Sequence, residues 1–180
     1  MPFITGENLR TRLVKRGELP VQEATKILRE VADALSYAHE QGVVHRDIKP
    51  ENIILSGNHA LVLDFGVSKA LSSATSETSV EGPTLTSLGI ALGTPTYMAP
   101  EQAVADPHVD ARADIYALGI VGYELLGGRT PFAGLNQQQT LAAHVTTAPA
   151  PITQHRPQIP AGLAQVIMRA IEKHPSDRWQ

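Results

Sequence analysis

The sequence lacks cysteine in all of its 180 residues. This absence excludes a disulfide framework, a thiolate zinc site and a cysteine nucleophile, and it is typical of proteins from a reducing compartment. Also missing are the roughly 18 consecutive apolar residues that a membrane span needs and the basic start of a signal peptide. We therefore expect a cytoplasmic chain, and any membrane anchor of the full-length protein would lie outside it.

A strong charge of either sign is missing as well. The formal net charge is only -3, so the chain has no basic field of the kind that attracts nucleic acid, and we expect no nucleic-acid partner. The seven histidines never occur at HxH or HxxxH spacing, which argues against a transition-metal site. With 42% hydrophobic residues, the composition is that of one globular domain.

Among the patterns that the sequence does contain, the most extensive is the spacing of apolar residues at helical intervals. The predicted helices cover residues 20–41, 115–126, 137–145 and 162–173. Three short β-branched runs predict small strands, namely GVVH at 42–45, NIILS at 52–56 and ALVLDF at 60–65. These strands flank polar loops, where chemistry is commonly placed. The pattern predicts a mainly α fold, α+β overall, with a few short strands around those loops.

Three short motifs follow one another along the chain. Residues 45–52 read HRDIKPEN, residues 64–66 read DFG and residues 99–101 read APE. Each motif alone is weak evidence, but their joint occurrence in this order is specific. With them the chain resembles the protein kinase superfamily, in particular the bacterial-type Ser/Thr protein kinases. The resemblance runs from the hinge between the two lobes of a kinase through most of the C-terminal lobe, and it implies that fold.

The resemblance implies that the protein transfers the γ-phosphoryl group of ATP to a Ser or Thr hydroxyl of a protein substrate. Asp47 is the expected catalytic base, because a hydroxyl that attacks phosphorus must lose its proton. Lys49 places a cation where negative charge develops on the transferring group, and lysine is typical of Ser/Thr kinases at this position. Asn52 and Asp64 match the positions whose oxygens hold Mg²⁺.

The same resemblance assigns residues to the nucleotide. Ile4, in the hinge, would offer backbone hydrogen bonds to adenine, and Ile54 would form the floor of the ATP pocket. Lys49, Asn52 and Asp64 complete this cofactor-binding set. The expected cofactors are therefore ATP and Mg²⁺.

Other matches imply structural roles. Glu101 and Arg178 resemble a buried ion pair that ties the activation segment to the end of the lobe. Asp114 resembles the carboxylate that braces the backbone of the loop with the HRDIKPEN motif, residues 45–52, which we call the HRD loop. We expect His45 and Phe65 to pack in the core rather than to take part in the reaction.

A stretch rich in Ser and Thr, residues 72–87, contains few large apolar side chains. It can bury little surface, and we expect it to be mobile. Arg46, next to the expected base, predicts control by phosphorylation, because a phosphate on this segment can pair with the guanidinium group. The candidate phosphosites are Thr84, Thr86 and Ser87.

Some parts of a kinase are missing from the sequence. No GxGxxG motif occurs, and Lys15 follows the hinge-like segment instead of preceding it. A kinase needs a glycine-rich loop, a strand lysine and a helix glutamate around the phosphates. We therefore expect residues 1–180 to be a partial kinase domain that lacks its N-terminal lobe, needs that lobe as a partner and has little activity alone.

Two other functions stay open at this point. A kinase-like small-molecule phosphotransferase would share Asp47, Asn52 and Asp64, but such enzymes usually lack an APE motif with a long Ser/Thr-rich segment before it. A catalytically inactive, truncated lobe would act as a binding or scaffold module. The three intact polar residues argue against an evolved loss of catalysis.

Overall fold

The structure is a computed structural model that describes residues 6–65 and 95–180. The elements of these ranges are, in chain order, β1 (Glu7–Asn8), α1 (Leu9–Arg16), α2 (Val21–Glu40), β2 (Ile53–Ser56), β3 (His59–Val62), α3 (Pro100–Ala103), α4 (Arg112–Gly127), α5 (Gln137–Thr146) and α6 (Ala161–Ala170). The prediction of a mainly α fold with a few short strands is confirmed. Of the helices in the described ranges, none has the length and apolar character to cross a bilayer.

Helix α2 buries one face because its apolar side chains recur at helical spacing. Its buried residues include Ala24, Leu28, Val31 and Leu35. The helix ends shortly before Gly42, whose φ of 72° suits a residue without a Cβ. Helix α2 contacts α4 and β3, and it leads the chain directly into the HRD loop.

Helix α4 forms the centre of the fold, and it is apolar and buried almost all round. A Cβ atom on Gly119 would lie 2.6 Å from Cγ2 of Ile171 and 2.8 Å from Cβ of Ala170. A Cβ atom on Gly122 would lie 2.5 Å from Cδ1 of Ile167. These two glycines therefore allow α6 and the residue after it to pack closely against α4.

The three strands form one antiparallel sheet in the order β1-β2-β3. Its register places Ile54 opposite Asn8 on one side and opposite Leu61 on the other. The strands predicted at 52–56 and 60–65 correspond to β2 and β3. Strand β1 was not predicted, because two residues are too short to show an alternating pattern.

The prediction of a strand at GVVH, residues 42–45, is wrong. The N–H of Val43 donates to the carbonyl of Ala38 at 2.9 Å and so closes the end of α2. The N–H groups of His45 and Arg46 donate to the carboxylate of Asp114, at 2.8 and 2.7 Å. Since a side chain satisfies these backbone donors, the segment needs no neighbouring strand.

Helix α1 was missed by the sequence reasoning. Only two of its side chains, Leu9 and Leu13, are buried, which is too few for a clear periodic signal. Its N-cap is Asn8, whose side chain accepts a hydrogen bond from the N–H of Thr11 at 2.8 Å. The helix contacts the turn at Pro50–Asn52, so it supports the loop that carries the candidate site.

Candidate active site

Asp47, Lys49 and Asn52 form a connected polar cluster on the HRD loop. The Nζ of Lys49 donates to Oδ2 of Asp47 at 2.7 Å. The Nδ2 of Asn52 donates to the backbone carbonyl of Asp47 at 2.8 Å and to its Oδ2 at 3.1 Å. Asn52 closes the short 3-10 turn Pro50–Asn52 and is buried, whereas the Asp47 side chain is 49% exposed. The loop thus presents one oriented carboxylate to solvent.

The backbone on the N-terminal side of this cluster is braced by Asp114, which is fully buried in the first turn of α4. Its Oδ2 accepts hydrogen bonds from the N–H of His45 and from Nε2 of His39, both at 2.8 Å. Its Oδ1 accepts the N–H of Arg46 at 2.7 Å. Arg46 has a φ of 68°, which is uncommon for a residue other than glycine and needs such external support.

His45 links the HRD loop to the segment that carries Asp64. The N–H of Asp47 donates to Nδ1 of His45 at 3.2 Å, so Nδ1 acts as an acceptor. The proton is therefore on Nε2, which lies 2.7 Å from the carbonyl of Leu63 and donates to it. The ring is buried, and its centroid lies 4.8 Å from that of Phe65 in an edge-to-face arrangement.

Asp64 follows β3 and is exposed, with a φ of 61°. The N–H of the preceding residue, Leu63, donates to the carbonyl of Asn52 at 2.9 Å. This bond holds the two predicted metal-binding residues on adjoining segments. Ile54 lies half-buried in the middle strand of the sheet.

Several predicted residues lie outside the described ranges. They are Ile4 in the hinge, the glycine of the DFG motif, the Ser/Thr-rich stretch 72–87 and the candidate phosphosites Thr84, Thr86 and Ser87.

Glu101 and Arg178 form a bidentate ion pair that lies away from solvent. The two Nη atoms of Arg178 lie 2.6 and 2.8 Å from the two carboxylate oxygens of Glu101. Arg178 is fully buried and Glu101 is 9% exposed. The guanidinium group also donates to three backbone carbonyls, those of Glu172, Arg112 and Lys173. The pair thereby connects the start of α3 with the C-terminal end of the chain.

An ionic network that the sequence reasoning missed joins α1, the HRD loop and α4. Arg10 donates to Glu51 and to Glu124, each at 2.7 Å, and also to the hydroxyl of Tyr97. The hydroxyl of Tyr97 donates to Glu124 at 2.5 Å. Burial, reinforced by the charge of Glu124, raises the pKa of Tyr97. Because Arg10 and Glu124 are 114 positions apart, no local sequence signal could have found this network.

A second network that was missed, this one around a buried side chain, involves His144 in α5. Its Nε2 lies 3.0 Å from the carbonyl of Thr96, and its Nδ1 lies 2.9 Å from the hydroxyl of Tyr116. Since a carbonyl only accepts, Nε2 carries the proton and Nδ1 accepts from Tyr116. Burial, together with the nearby charge of Lys173, lowers the pKa of His144 to about 4. A neutral imidazole thus supports the segment just before α3.

Gln102 is a further residue that was missed. Its Nε2 donates to the carbonyl of Arg46 at 2.9 Å, and its Oε1 accepts the N–H of Ala99 at 3.0 Å. Its position directly after the APE motif was the only available signal.

The sequence and the structure of the chain were compared with those of known proteins. A family model described as the protein kinase domain matches residues 1–180. The chain is 37% identical over 181 residues to serine/threonine-protein kinase PknB of Mycobacterium leprae (strain TN), a match that covers 100% of this chain and 28% of the relative. It is 36% identical over 186 residues to serine/threonine-protein kinase pkn2 of Myxococcus xanthus, a match that covers 100% of this chain and 21% of the relative.

The structure is similar to the crystal structure of a mutant of the Mycobacterium tuberculosis PknI kinase domain. The TM-score is 0.71 at 30% sequence identity, and the match covers 99% of this chain and 58% of that chain. The chain therefore spans about a quarter of the length of the curated relatives and just over half of the solved domain. With a family match from its first residue to its last, the chain belongs to the protein kinase domain family.

Proposed function

We propose that this chain is the catalytic C-terminal lobe of a Ser/Thr protein kinase, which transfers the γ-phosphoryl group of ATP to a Ser or Thr hydroxyl of a protein. The observation that carries the proposal is the Asp47 carboxylate, half exposed and held at 2.7 Å by Lys49 and at 3.1 Å by Asn52. Phosphoryl transfer depends on positioning and electrostatics more than on covalent chemistry. An oriented and accessible carboxylate next to a cation suits that requirement.

In the proposed reaction, Asp47 accepts the proton of the substrate hydroxyl. The hydroxyl oxygen forms a bond to the γ-phosphorus, and the bond between that phosphorus and the β–γ bridging oxygen breaks. ADP leaves with the electron pair of the broken bond. The ammonium group of Lys49 stabilises the charge that develops on the transferring group. The Nδ2 of Asn52 holds the base by donating to both the carboxylate and the backbone carbonyl of Asp47.

We assign Mg²⁺ to Asn52 and Asp64. Because Asn52 uses its Nδ2 to donate to Asp47, its amide oxygen is the atom that suits a cation. One amide oxygen and one carboxylate fit a hard ion that also takes phosphate oxygens and water. In the described parts of the chain, no three His, Asp or Glu side chains form a metal site by themselves. When bound, the ion would neutralise charge on the ATP phosphates.

The proposed ATP site needs more than these residues. The hinge residue Ile4 and the sheet residue Ile54 are the proposed adenine contacts. The 180 residues contain no GxGxxG motif. The proposed site therefore requires an N-terminal lobe to supply the glycine-rich loop over the phosphates, the lysine that contacts them and the glutamate that pairs with that lysine.

Arg46 is the proposed contact for a regulatory phosphate. Among the described residues, its guanidinium group has one long contact, at 3.5 Å to the carbonyl of Val109. A phosphate on Thr84, Thr86 or Ser87 would offer it stronger, charge-assisted hydrogen bonds.

Transfer of labelled phosphate from ATP to a generic protein substrate tests the function, with the chain assayed together with its N-terminal lobe. The Asp47→Asn variant should lose about 10²- to 10⁴-fold in kcat, because it cannot accept the proton. Asp110→Asn is the matched control, since Asp110 is a surface carboxylate, 48% exposed, that pairs with Arg112. Label should appear on phosphoserine or phosphothreonine. Equal transfer by wild type and Asp47→Asn would contradict the proposal.

A further inference from the structure

The peptide group between Arg46 and Asp47 is held at both of its polar ends by side chains. Its carbonyl, that of Arg46, accepts a hydrogen bond from Nε2 of Gln102 at 2.9 Å. Its N–H, that of Asp47, donates to Nδ1 of His45 at 3.2 Å. A peptide group is planar, so two such bonds set its orientation and hence the direction in which the next side chain, that of Asp47, leaves the backbone.

This part of the backbone needs support. Arg46 adopts a φ of 68°, and a residue with a Cβ keeps such a conformation only where its surroundings impose it. Its N–H is bound by Asp114, from α4, and its carbonyl is bound by Gln102, from α3. Asp114 thus fixes the N–H side of Arg46. On the carbonyl side, Gln102 supplies the shorter of the two bonds that hold the peptide group, and the bond from the N–H of Asp47 to His45 is the longer.

Gln102 is well suited to hold the carbonyl. Its Oε1 accepts the N–H of Ala99 at 3.0 Å, so both ends of the side-chain amide are engaged and a flip of the amide would break both bonds. Its neighbour Glu101 is bound by the buried Arg178. Helix α3 is therefore anchored to the lobe by one residue and linked to the HRD loop by the next.

We infer that Gln102 is a positioning residue for the base. It holds the peptide group before Asp47. The orientation of the Asp47 carboxylate therefore depends on the position of α3 next to the HRD loop. This inference rests on the proposed function, because it concerns the same site. If Gln102 served only to cap α3, its loss would lower the stability of the fold and leave the HRD loop unchanged.

The Gln102→Glu variant separates the two roles. Glutamate keeps an oxygen that accepts the N–H of Ala99, but it cannot donate to the carbonyl of Arg46. The chain offers a matched control in Gln139→Glu. Gln139 caps α5 in the same way, with its Oε1 accepting the N–H of Asn136 at 3.0 Å, and its described hydrogen bonds to Asn136 stay within the first turn of that helix. Gln102→Met is a second, uncharged variant.

Hydrogen–deuterium exchange of the full chain tests the link without any need for activity. In Gln102→Glu and Gln102→Met the backbone amides of residues 45–47 should exchange about tenfold faster than in wild type, since a lost hydrogen bond permits local opening. The amides of these residues should be unchanged in Gln139→Glu. Wild-type exchange rates at residues 45–47 in both Gln102 variants would overturn the inference.

Kinetics of the chain with its N-terminal lobe give a second readout. The kcat of Gln102→Glu should fall about tenfold with an unchanged KM for ATP, because the base is misplaced while the nucleotide contacts remain. Gln139→Glu should keep the wild-type kcat. An unchanged kcat in Gln102→Glu would overturn the positioning role. If wild type transfers no phosphate, the proposed function is wrong, whereas the exchange experiment still decides whether Gln102 holds the loop.

Discussion

Replacing Arg178 by methionine should strongly destabilise the fold, because its buried guanidinium group is paired with Glu101. The change leaves the carboxylate of Glu101, only 9% exposed, without its counter-ion. It also removes the donor from three backbone carbonyls, those of Glu172, Arg112 and Lys173. Breaking a buried ion pair by removing one partner costs about 3 to 5 kcal/mol. For a chain of this size each kcal/mol lowers Tm by roughly 2 to 4 °C, so the expected fall is about 10 °C.

Urea unfolding measures this loss, with Arg112→Met as the control. Arg112 pairs with Asp110 at 2.6 Å, but the two side chains are 34% and 48% exposed. Exposed pairs of this kind contribute about 1 kcal/mol or less. The double variant Glu101→Gln with Arg178→Met should recover at least about 1 kcal/mol of the loss, because it no longer buries an unpaired charge.

If the free energy of unfolding of Arg178→Met falls no further than that of Arg112→Met, the buried pair does not stabilise the fold as expected. If the double variant is less stable than Arg178→Met, the unpaired carboxylate of Glu101 is not the dominant cost. A change in the urea m-value of Arg178→Met would indicate that the denatured or native state had changed in compactness.

Two further predictions concern pH and packing. The pKa of His144 is lowered from 6.5 to about 4 by burial, so below pH 6.5 the unfolded chain binds a proton that the folded chain does not, and stability falls as pH drops towards 4. Urea unfolding should therefore show that His144→Gln loses about 2 kcal/mol less stability at about pH 5 than at about pH 7.5. An equal loss at the two pH values would contradict the burial of a neutral imidazole. Gly119→Ala should cost about 1 to 3 kcal/mol by overpacking, while Gly162→Ala, which meets nothing within 4 Å, should stabilise α6 by up to about 1 kcal/mol. A neutral Gly119→Ala would show that α6 moves aside freely.

The helices were predictable wherever burial leaves a regular pattern over many residues. The periodic stretch 20–41 became α2, and the apolar run 115–126 became the core of α4. Helix α1 and strand β1 were missed because each is short and buries few side chains. The strand predicted at 42–45 failed for a different reason. Its apolar composition is that of a strand, but the N–H of Val43 donates to the carbonyl of Ala38 and the N–H of His45 donates to the carboxylate of Asp114.

Of the candidate site, the part within one loop could be predicted best. Asp47, Lys49 and Asn52 lie within six positions of one another, so a tight turn brings them together whatever the rest of the chain does. Asp114 was assigned from the resemblance to kinases. Gln102 lies 56 positions from Arg46, and nothing near it in the sequence indicates that the two meet.

By itself, the sequence determined the chemical groups of the protein, the family to which they belong and the long amphipathic helices, because these depend on residue type and on periodicity over short distances. The tertiary structure alone decided which groups hold the HRD loop in place. The left-handed conformation of Arg46, the tautomer of His45 and the orientation of the peptide before Asp47 all depend on contacts with distant segments, above all with side chains from α3 and α4. These contacts form only when the segments pack together, and the conformational propensities of the local residues do not predict them.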